Sequence, residues 1–539
     1  MAEQQTTTSI SAPGFLGLNL QESSISLSSG FALATDNCVI DRYGRIGARR
    51  GWTPVNTSVN ADLGAANPVE FMFEVIDGGS NYLISAGNNN LFTGTTTMTT
   101  ATVRNADNSA DISYPITGNN WQAASLPYGD GVDAEPHAYL VQAAHRPLVF
   151  HELPVSGGAG HDHDSGVFGF QLLGNVGTLP PGYITSTFKP NCALAAYGRI
   201  WMADIVNDRQ TVYFSRLLDG SDFSGGDSGS LSLNTVFPNN DQIIGLAAHN
   251  GFLIIFGRNN IAIYANPIDV TELTLDDYIP NVGCIARDSI QNIGTDIIFL
   301  SDSGVRSLQR VIQEKSLPFR DLSKNIRDEL MDNVRSETIT NIKSVYFDRD
   351  AFYLLSLPTT KFVYCFDMRS PLQDGASRVT LWTKIEPKSF LVTASKELYL
   401  GKPGYIGKYF GHSDNTDPYR FRYFTNYFDF DAPTQEKILK QIGMTVIGGT
   451  SQEIAIKWGF DYNENFFAVT KRLSGNTSFE YNIAEYNIAE FNDGIVLDKF
   501  KSHVGGKGPI MQVGLEADIN GNPLSLQRID IYVKQGKTV

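Results

Sequence analysis

One turn pattern returns along this chain at a nearly fixed interval, and it restricts the possible folds more than any other feature. An apolar stretch, a short polar turn and a second apolar stretch centre near Gly78 (FEVIDGGSNYLIS), Arg146 (YLVQAAHRPLVF), Gly198 (ALAAYGRIWMA) and Asn250 (IGLAAHNGFLIIF). They continue near Asp302 (IIFLSDSGVRSL), Arg349 (SVYFDRDAFYLL) and Lys396 (FLVTASKELYL). The gaps between centres are 68, 52, 52, 52, 47 and 47 residues, the first lengthened by a Thr/Asn-rich insertion around Thr95 to Asn120. Several units add a third strand, as in IWMADIV, Asn207-Asp208, TVYFSR, or FYLLSL, Pro358-Thr359-Thr360, KFVYCFD. A meander of this size cannot bury both faces alone and must stack on its neighbours. Radial stacking makes a β-propeller of six to seven blades; the alternative is a string of hairpins in a sandwich.

The regular spacing ends near Gly411 to Arg420. Apolar-rich runs follow (FRYFTNYFDF, QIGMTVIG, EIAIKWGF, RIDIYVK), interrupted by a tandem YNIAE duplication at Tyr481 to Glu490. The expected organisation is therefore all-β: an N-terminal segment over 1–60, a propeller-like domain over 61–415 and an additional β-sandwich-like domain over 416–539. A single helix is expected in DLSKNIRDELMDNV, capped by Asp321 or Ser323, with Leu322, Ile326 and Leu330 on one face.

Composition agrees. In 539 residues there are 50 Gly, 32 Phe and 23 Tyr but only 18% charged residues, which suits turn-rich strands better than helices. The formal charge of −15 gives no general attraction for phosphate backbones. Cys38, Cys192, Cys284 and Cys365 are widely separated with apolar neighbours, so buried, reduced thiols of a protein folded in a reducing cytoplasm are expected. The polar start, Met1 to Ser11, does not read as a signal peptide, and no apolar run is long enough to span a membrane.

Few motifs carry chemistry. His161-Asp162-His163-Asp164 has metal-ligand residue types, but it sits between glycines that fix no geometry, and a loop is expected. Gly505-Gly506-Lys507-Gly508 lacks the phosphate-loop spacing and is followed by Pro509. Gly225 to Gly229 lacks a nucleophile elbow. No catalytic residue, cofactor or metal is expected. Arg42, Arg45, Arg49 and Arg50, beside Asp41, form a local basic patch that could meet phosphate or an acidic partner subunit and is read as a solvated or inter-subunit salt-bridging surface.

Several short pieces resemble the tail nozzle, or tubular tail, proteins of short-tailed bacteriophages. They are Gly17-Leu18-Asn19, Gly30-Phe31-Ala32, Asn37-Cys38-Val39-Ile40, Tyr43-Gly44-Arg45-Ile46 and Arg49-Arg50-Gly51-Trp52. Val212 to Phe223 (VYFSRLLDGSDF) is similar to a blade motif of that group, although Arg216-Leu217-Leu218 replaces its acidic, Pro-containing turn. FDAPTQEKILKQI near Asp431 is similar to the approach to the domain after the propeller. The resemblance implies a virion protein assembled in the host cytoplasm as a homohexameric ring at the lower end of the tail. It implies contact with the adaptor ring, often with fibres or a plug or needle, and a conduit through which genomic DNA passes without tight binding. The Arg42 to Arg50 patch then falls at a subunit or adaptor contact. A glycan-binding or glycan-cleaving tail protein is the other reading.

Overall fold

The computed structural model describes residues 5–77, 80–105, 111–112, 115–128, 135–153, 167–173, 188–308, 321–449, 451–463, 465–473 and 497–538. The His161 to Asp164 motif and the YNIAE duplication lie outside them.

Seven small antiparallel sheets follow one another along the chain. The first is Phe71–Asp77, Ser80–Gly87, Asn90–Thr93 and Thr99–Thr100. The second runs Gln122–Ser125, Ala138–Gln142, His145–Glu152 and Phe168–Leu172, with two short strands of the Thr/Asn-rich insertion added at its outer edge. The third is Cys192–Ala196, Arg199–Ile205, Asp208–Phe214 and Gly229–Ser232. The fourth is Ile243–His249, Phe252–Gly257, Ile261–Ala265 and Thr274–Ile279. The fifth has three strands among the described residues, Gln291–Asn292, Ile297–Ser301 and Gly304–Ser307. The sixth is Lys343–Phe347, Phe352–Leu357, Phe362–Asp367 and Arg378–Thr383. The seventh is Phe390–Val392, Leu398–Lys402 and Tyr405–Tyr409, completed by Trp52–Pro54 from the start of the chain.

Packing between these sheets closes the ring. Strand Arg199–Ile205 is buried throughout, so its alternating side chains serve two layers. Trp201 and Ala203 face the fourth sheet, in one core with Leu253 and Ile255, whereas Ile200 and Met202 face the second, in a core with Tyr139 and Val149. The same holds around the ring: further cores join the first sheet to the second, the fourth to the fifth, the fifth to the sixth, the sixth to the seventh and the seventh back to the first. The expected propeller is therefore present, with six blades of four or more strands and a fifth sheet that has three among the described residues. Each of the seven turns read from the sequence connects two strands of its own sheet. Two are tight turns with both central residues at positive φ, Tyr197-Gly198 (57° and 72°) and Asn250-Gly251 (50° and 83°), the conformation whose twist matches the flanking strands.

The helix, Arg327–Ser336, turns Leu330, Met331 and Val334 into the core between the fifth and sixth sheets. Neither expected cap acts as one. Ser323 Oγ accepts from the Val305 amide at 3.0 Å, and Asp321 pairs with Arg327. A short 3-10 turn, Lys324–Ile326, leads into the helix instead.

The second domain is a two-sheet sandwich, but it is not confined to 416–539. One sheet packs Gln435–Gly448 between Leu497–His503 and Leu524–Thr538, and the N-terminal strands Gln5–Ser11, Cys38–Ile40 and Ile46–Ala48 join it. The other orders Phe31–Asp36, Tyr419–Thr425, Met511–Ile519, Glu453–Phe460 and Phe467–Arg472. One core unites both sheets, from Ile10, Phe15 and Cys38 to Trp458, Leu515 and Ile531. Residues 5–54 therefore form no separate arm. Their short strands fill gaps in the sandwich and then finish the propeller. The reason is steric as well as hydrogen-bonded: a Cβ on Gly51 would lie 1.9 Å from the Ser413 carbonyl oxygen, so only glycine lets the strand into the last sheet. All four cysteines are free and buried, as expected.

Candidate functional site

The basic patch read from the sequence is split by the fold. Arg49 has no exposed side-chain surface; it is the hub of the joint between propeller and sandwich. Its guanidinium forks onto the Asp414 carboxylate at 2.8 and 2.7 Å and donates to Asn37 Oδ1 at 2.8 Å and to its neighbour's carbonyl, Arg50 O, at 2.9 Å. It also lies 4.1 Å above the Tyr419 ring. Asn37, at φ 56°, ties the same point to both domains: its amide donates to Thr383 Oγ1 of the sixth sheet at 2.9 Å and to the Arg420 carbonyl at 2.7 Å. Arg45 pairs with Asp41 at 3.0 Å and stacks on Tyr43, which Arg42 also covers from 4.9 Å. Arg49 therefore cannot be a subunit or adaptor contact, because an arginine with a bidentate carboxylate and no accessible surface has nothing left to offer. Arg42 is exposed and Arg45 and Arg50 are half-buried, so these three retain an outward surface.

His412 belongs to this joint. Burial, reinforced by the charges of Arg50 and Arg49, lowers its pKa to about 4, although its Nδ1 lies 3.3 Å from the Arg49 carbonyl. A base whose folded pKa is depressed takes up its proton in the unfolded chain first. Stability is complete above about pH 6.5 and falls as the pH drops toward 4, by up to about 3 kcal/mol. His412→Asn should flatten that part of the pH–stability curve, measured as urea midpoints between pH 7 and 4.

Sequence reading missed a second polar cluster, at the propeller axis on the side where the inner strands begin. Arg287 lies in a short 3-10 turn, Arg287–Ser289, that enters the fifth sheet. It crosses the axis to reach the second and third sheets. It donates to Asn120 Oδ1 at 3.0 Å and to the Asn120 and Trp121 carbonyls at 3.3 and 3.4 Å, and it binds Asn191 through both the carbonyl and Oδ1. Its Nε and Nη2 hold Asp288 at 2.7 and 2.9 Å. Lys343, at the start of the sixth sheet, completes the knot on Asp288 and Asn120. Burial alone would push the Asp288 carboxyl up, but the charges of Arg287 and Lys343 outweigh it and hold the group well below the usual carboxylate range. The signal that could have revealed the cluster is an Arg-Asp pair set between apolar neighbours (Ile285-Ala286 before, Ile290 after) at a blade junction.

Above this knot lies a cavity of about 280 Å³, lined by Asn120, Asp204, Arg209, Gln242, Arg258 and Ile339 among others. The remaining motifs are structural. Gly505 accepts from Trp458 Nε1 at 2.8 Å while Lys507 pairs with Glu436 at 2.9 Å. In the VYFSRLLDGSDF stretch, Ser215 accepts the Ile200 amide at 3.0 Å and Asp222 caps the turn at Ser224 and Gly225, while Asp227 of the Gly225 to Gly229 motif anchors the buried Arg199. Among the described residues no three His, Cys, Asp or Glu side chains converge as metal ligands, and no helix is long and apolar enough to cross a membrane.

No protein-family model and no curated protein matches the chain. Solved structures do. One is an extracellular domain from B. thetaiotaomicron, with 10% identity and a TM-score of 0.36 over 68% of this chain; the match spans only 40% of that longer chain. Another is the Pan2 WD40 domain of Neurospora crassa, with 9% identity and a TM-score of 0.27 over 76% of this chain and 97% of the other. What is established for the chain is thus its architecture: a β-propeller closed by an N-terminal strand and locked to a β-sandwich built from both ends of the sequence.

Proposed function

We propose that this chain is a structural protein of a virus particle, the nozzle at the lower end of a short bacteriophage tail. In this role six copies form a ring that conducts the genome and carries the adaptor ring, with fibres or a plug. The observation that carries the reading is where the nozzle-like sequence pieces fall. Gly17-Leu18 pairs with Phe31-Ala32 in parallel, Asn37 and Arg49 form the hub of the joint, and Trp52 opens the strand that closes the propeller. The resemblance therefore includes Asn37 and Arg49, the N-terminal side of the contact that fixes the two domains on one another, a property a ring subunit under load needs.

The axis of the propeller suits this reading in a second way. It is crossed by Arg287, Asp288 and Lys343, and its 280 Å³ cavity is far too small for a duplex. A conduit would run between copies, along a wall whose acidic balance, −15 per chain, repels DNA instead of holding it. Contacts in such a ring are head-to-tail and must close. Electron cryo-microscopy of the assembled tail is the test. Six copies around a lumen without a continuous basic lining are expected. Any other copy number, or a wall basic along its whole length, would refute the proposal. Turnover of a host polysaccharide by the purified chain, abolished by replacing one carboxylate, would favour a glycan-cleaving role in its place.

A further inference from the structure

The axial cavity contains a side chain that the fold leaves incomplete. Asp204 sits at an irregularity in strand Arg199–Ile205, where the register with the next strand slips between Ala203 and Ile205. Its φ is 58°, the left-handed region that a non-glycine residue enters only at a cost. This backbone turns the carboxylate into the cavity, where the residue is 8% exposed. One oxygen, Oδ2, accepts from Asn191 Nδ2 at 2.9 Å; the other, Oδ1, is buried and accepts no hydrogen bond. Its nearest cation, Arg209, stands 3.7 Å away and donates to Gln242 at 2.6 Å. A buried acceptor without a donor is costly, and strained bulges of this kind recur at binding sites.

The other lining groups narrow the class of ligand. Two arginines stand at the rim, Arg209 with 45% and Arg258 with 34% of its side chain exposed. Arg258 pairs with Asp302, itself 60% exposed, an ion pair weak enough to exchange partners. Ile244, Ile285 and Ile339 supply an apolar side. A simple anion would meet the Asp204 carboxylate, and a simple cation would meet three arginines. The cavity suits a small molecule that offers hydroxyl donors to Asp204, a carboxylate to the rim arginines and a C–H face to the isoleucines. We infer that the axial cavity is a binding site for one acidic sugar unit, of the uronic acid type, held between Asp204 and the rim arginines Arg209 and Arg258. The inference rests on the cavity alone and stands whether or not the chain is a tail nozzle.

Saturation-transfer NMR and calorimetric titration of the full chain with sodium D-glucuronate test it, with D-glucose, sodium acetate and L-alanine as comparison probes. Saturable binding with a Kd on the order of 1 mM is expected for a ligand of this size. Glucose lacks the carboxylate, acetate lacks the donors for Asp204 and alanine lacks the ring face for the isoleucines, so each should bind at least about tenfold more weakly. Asp204→Asn keeps the shape of the side chain and should weaken glucuronate about tenfold or more. Arg258→Ala, at the rim and outside every core, should weaken glucuronate by a similar factor and leave glucose unchanged, so the proposal does not depend on one variant folding. No saturable binding, equal binding of acetate or alanine, or unchanged affinity in a folded Arg258→Ala protein would each overturn the site.

Discussion

Replacing Arg287 with alanine is expected to destabilise the propeller by roughly 3–5 kcal/mol, the range for removing one partner of a buried ion pair. The loss is large because the guanidinium serves groups from several sheets at once. Without it the carbonyl of the buried Trp121 and the half-buried Asn120 and Asn191 lose a charged donor, and Asp288 keeps only Lys343. Arg287→Lys should recover little, since an ammonium cannot make the forked contact. Urea unfolding followed by tryptophan fluorescence reads this directly, because Trp121 is buried beside the cluster and Trp201 is buried in the next sheet. The pH dependence supplies an independent check. A carboxyl held below its unfolded value stabilises the fold above about pH 4 and ceases to do so as the pH falls through the folded value. The acid loss of stability should therefore be shallower in Arg287→Ala, with Lys343 preserving part of it.

Arg49→Ala should cost a similar amount, again roughly 3–5 kcal/mol, but with a different signature. Its partners belong to the seventh sheet's exit (Asp414), the sixth sheet (Thr383) and the sandwich (Tyr419). The variant should lose the coupling between domains before it loses either domain. Scanning calorimetry is expected to show one transition in the parent protein and two in the variant. The pair Arg49→Ala and Asp414→Ala should destabilise less together than the sum of the single changes, because each single change strands the other charge. Simple additivity, or a single undivided transition, would show that the joint does not depend on this pair.

The two arginines also mark the limit of what the sequence discloses. The repeated hairpins were legible because strand, turn and strand are local: Tyr197-Gly198 and Asn250-Gly251 announce their turns wherever they fall. The helix was legible only in part: Leu330 lies in it, whereas Leu322 and Ile326 precede it and join the same core, and the caps failed because Asp321 and Ser323 are used by Arg327 and by the Val305 amide. Arg49 looked like part of a surface patch because its neighbours are charged, while the residue that neutralises it lies 365 positions away. The same distance problem hid the N-terminal strands. Pieces of two to seven residues carry too little alternation to declare a partner, and their partners are chosen by the edges left open elsewhere. Asp204 was invisible for another reason: nothing in IWMADIV shows that the strand slips its register at the acid and turns it toward the axis.

The pairing of the first strand with the last has a consequence for how the protein is made. Ser9 donates to Asp530 at 2.6 Å across 521 positions of chain, within a register that runs from Gln5 opposite Lys534 to Ser11 opposite Arg528. At synthesis rates of about 5–20 residues per second, the opening strand waits on the order of 25–100 s before its partner leaves the ribosome. Throughout that interval the Gln5–Ser11 strand lacks its native pairing partner. Expression trials that slow elongation late in the message should therefore raise the aggregated fraction, whereas those that slow only its first fifty codons should leave it unchanged.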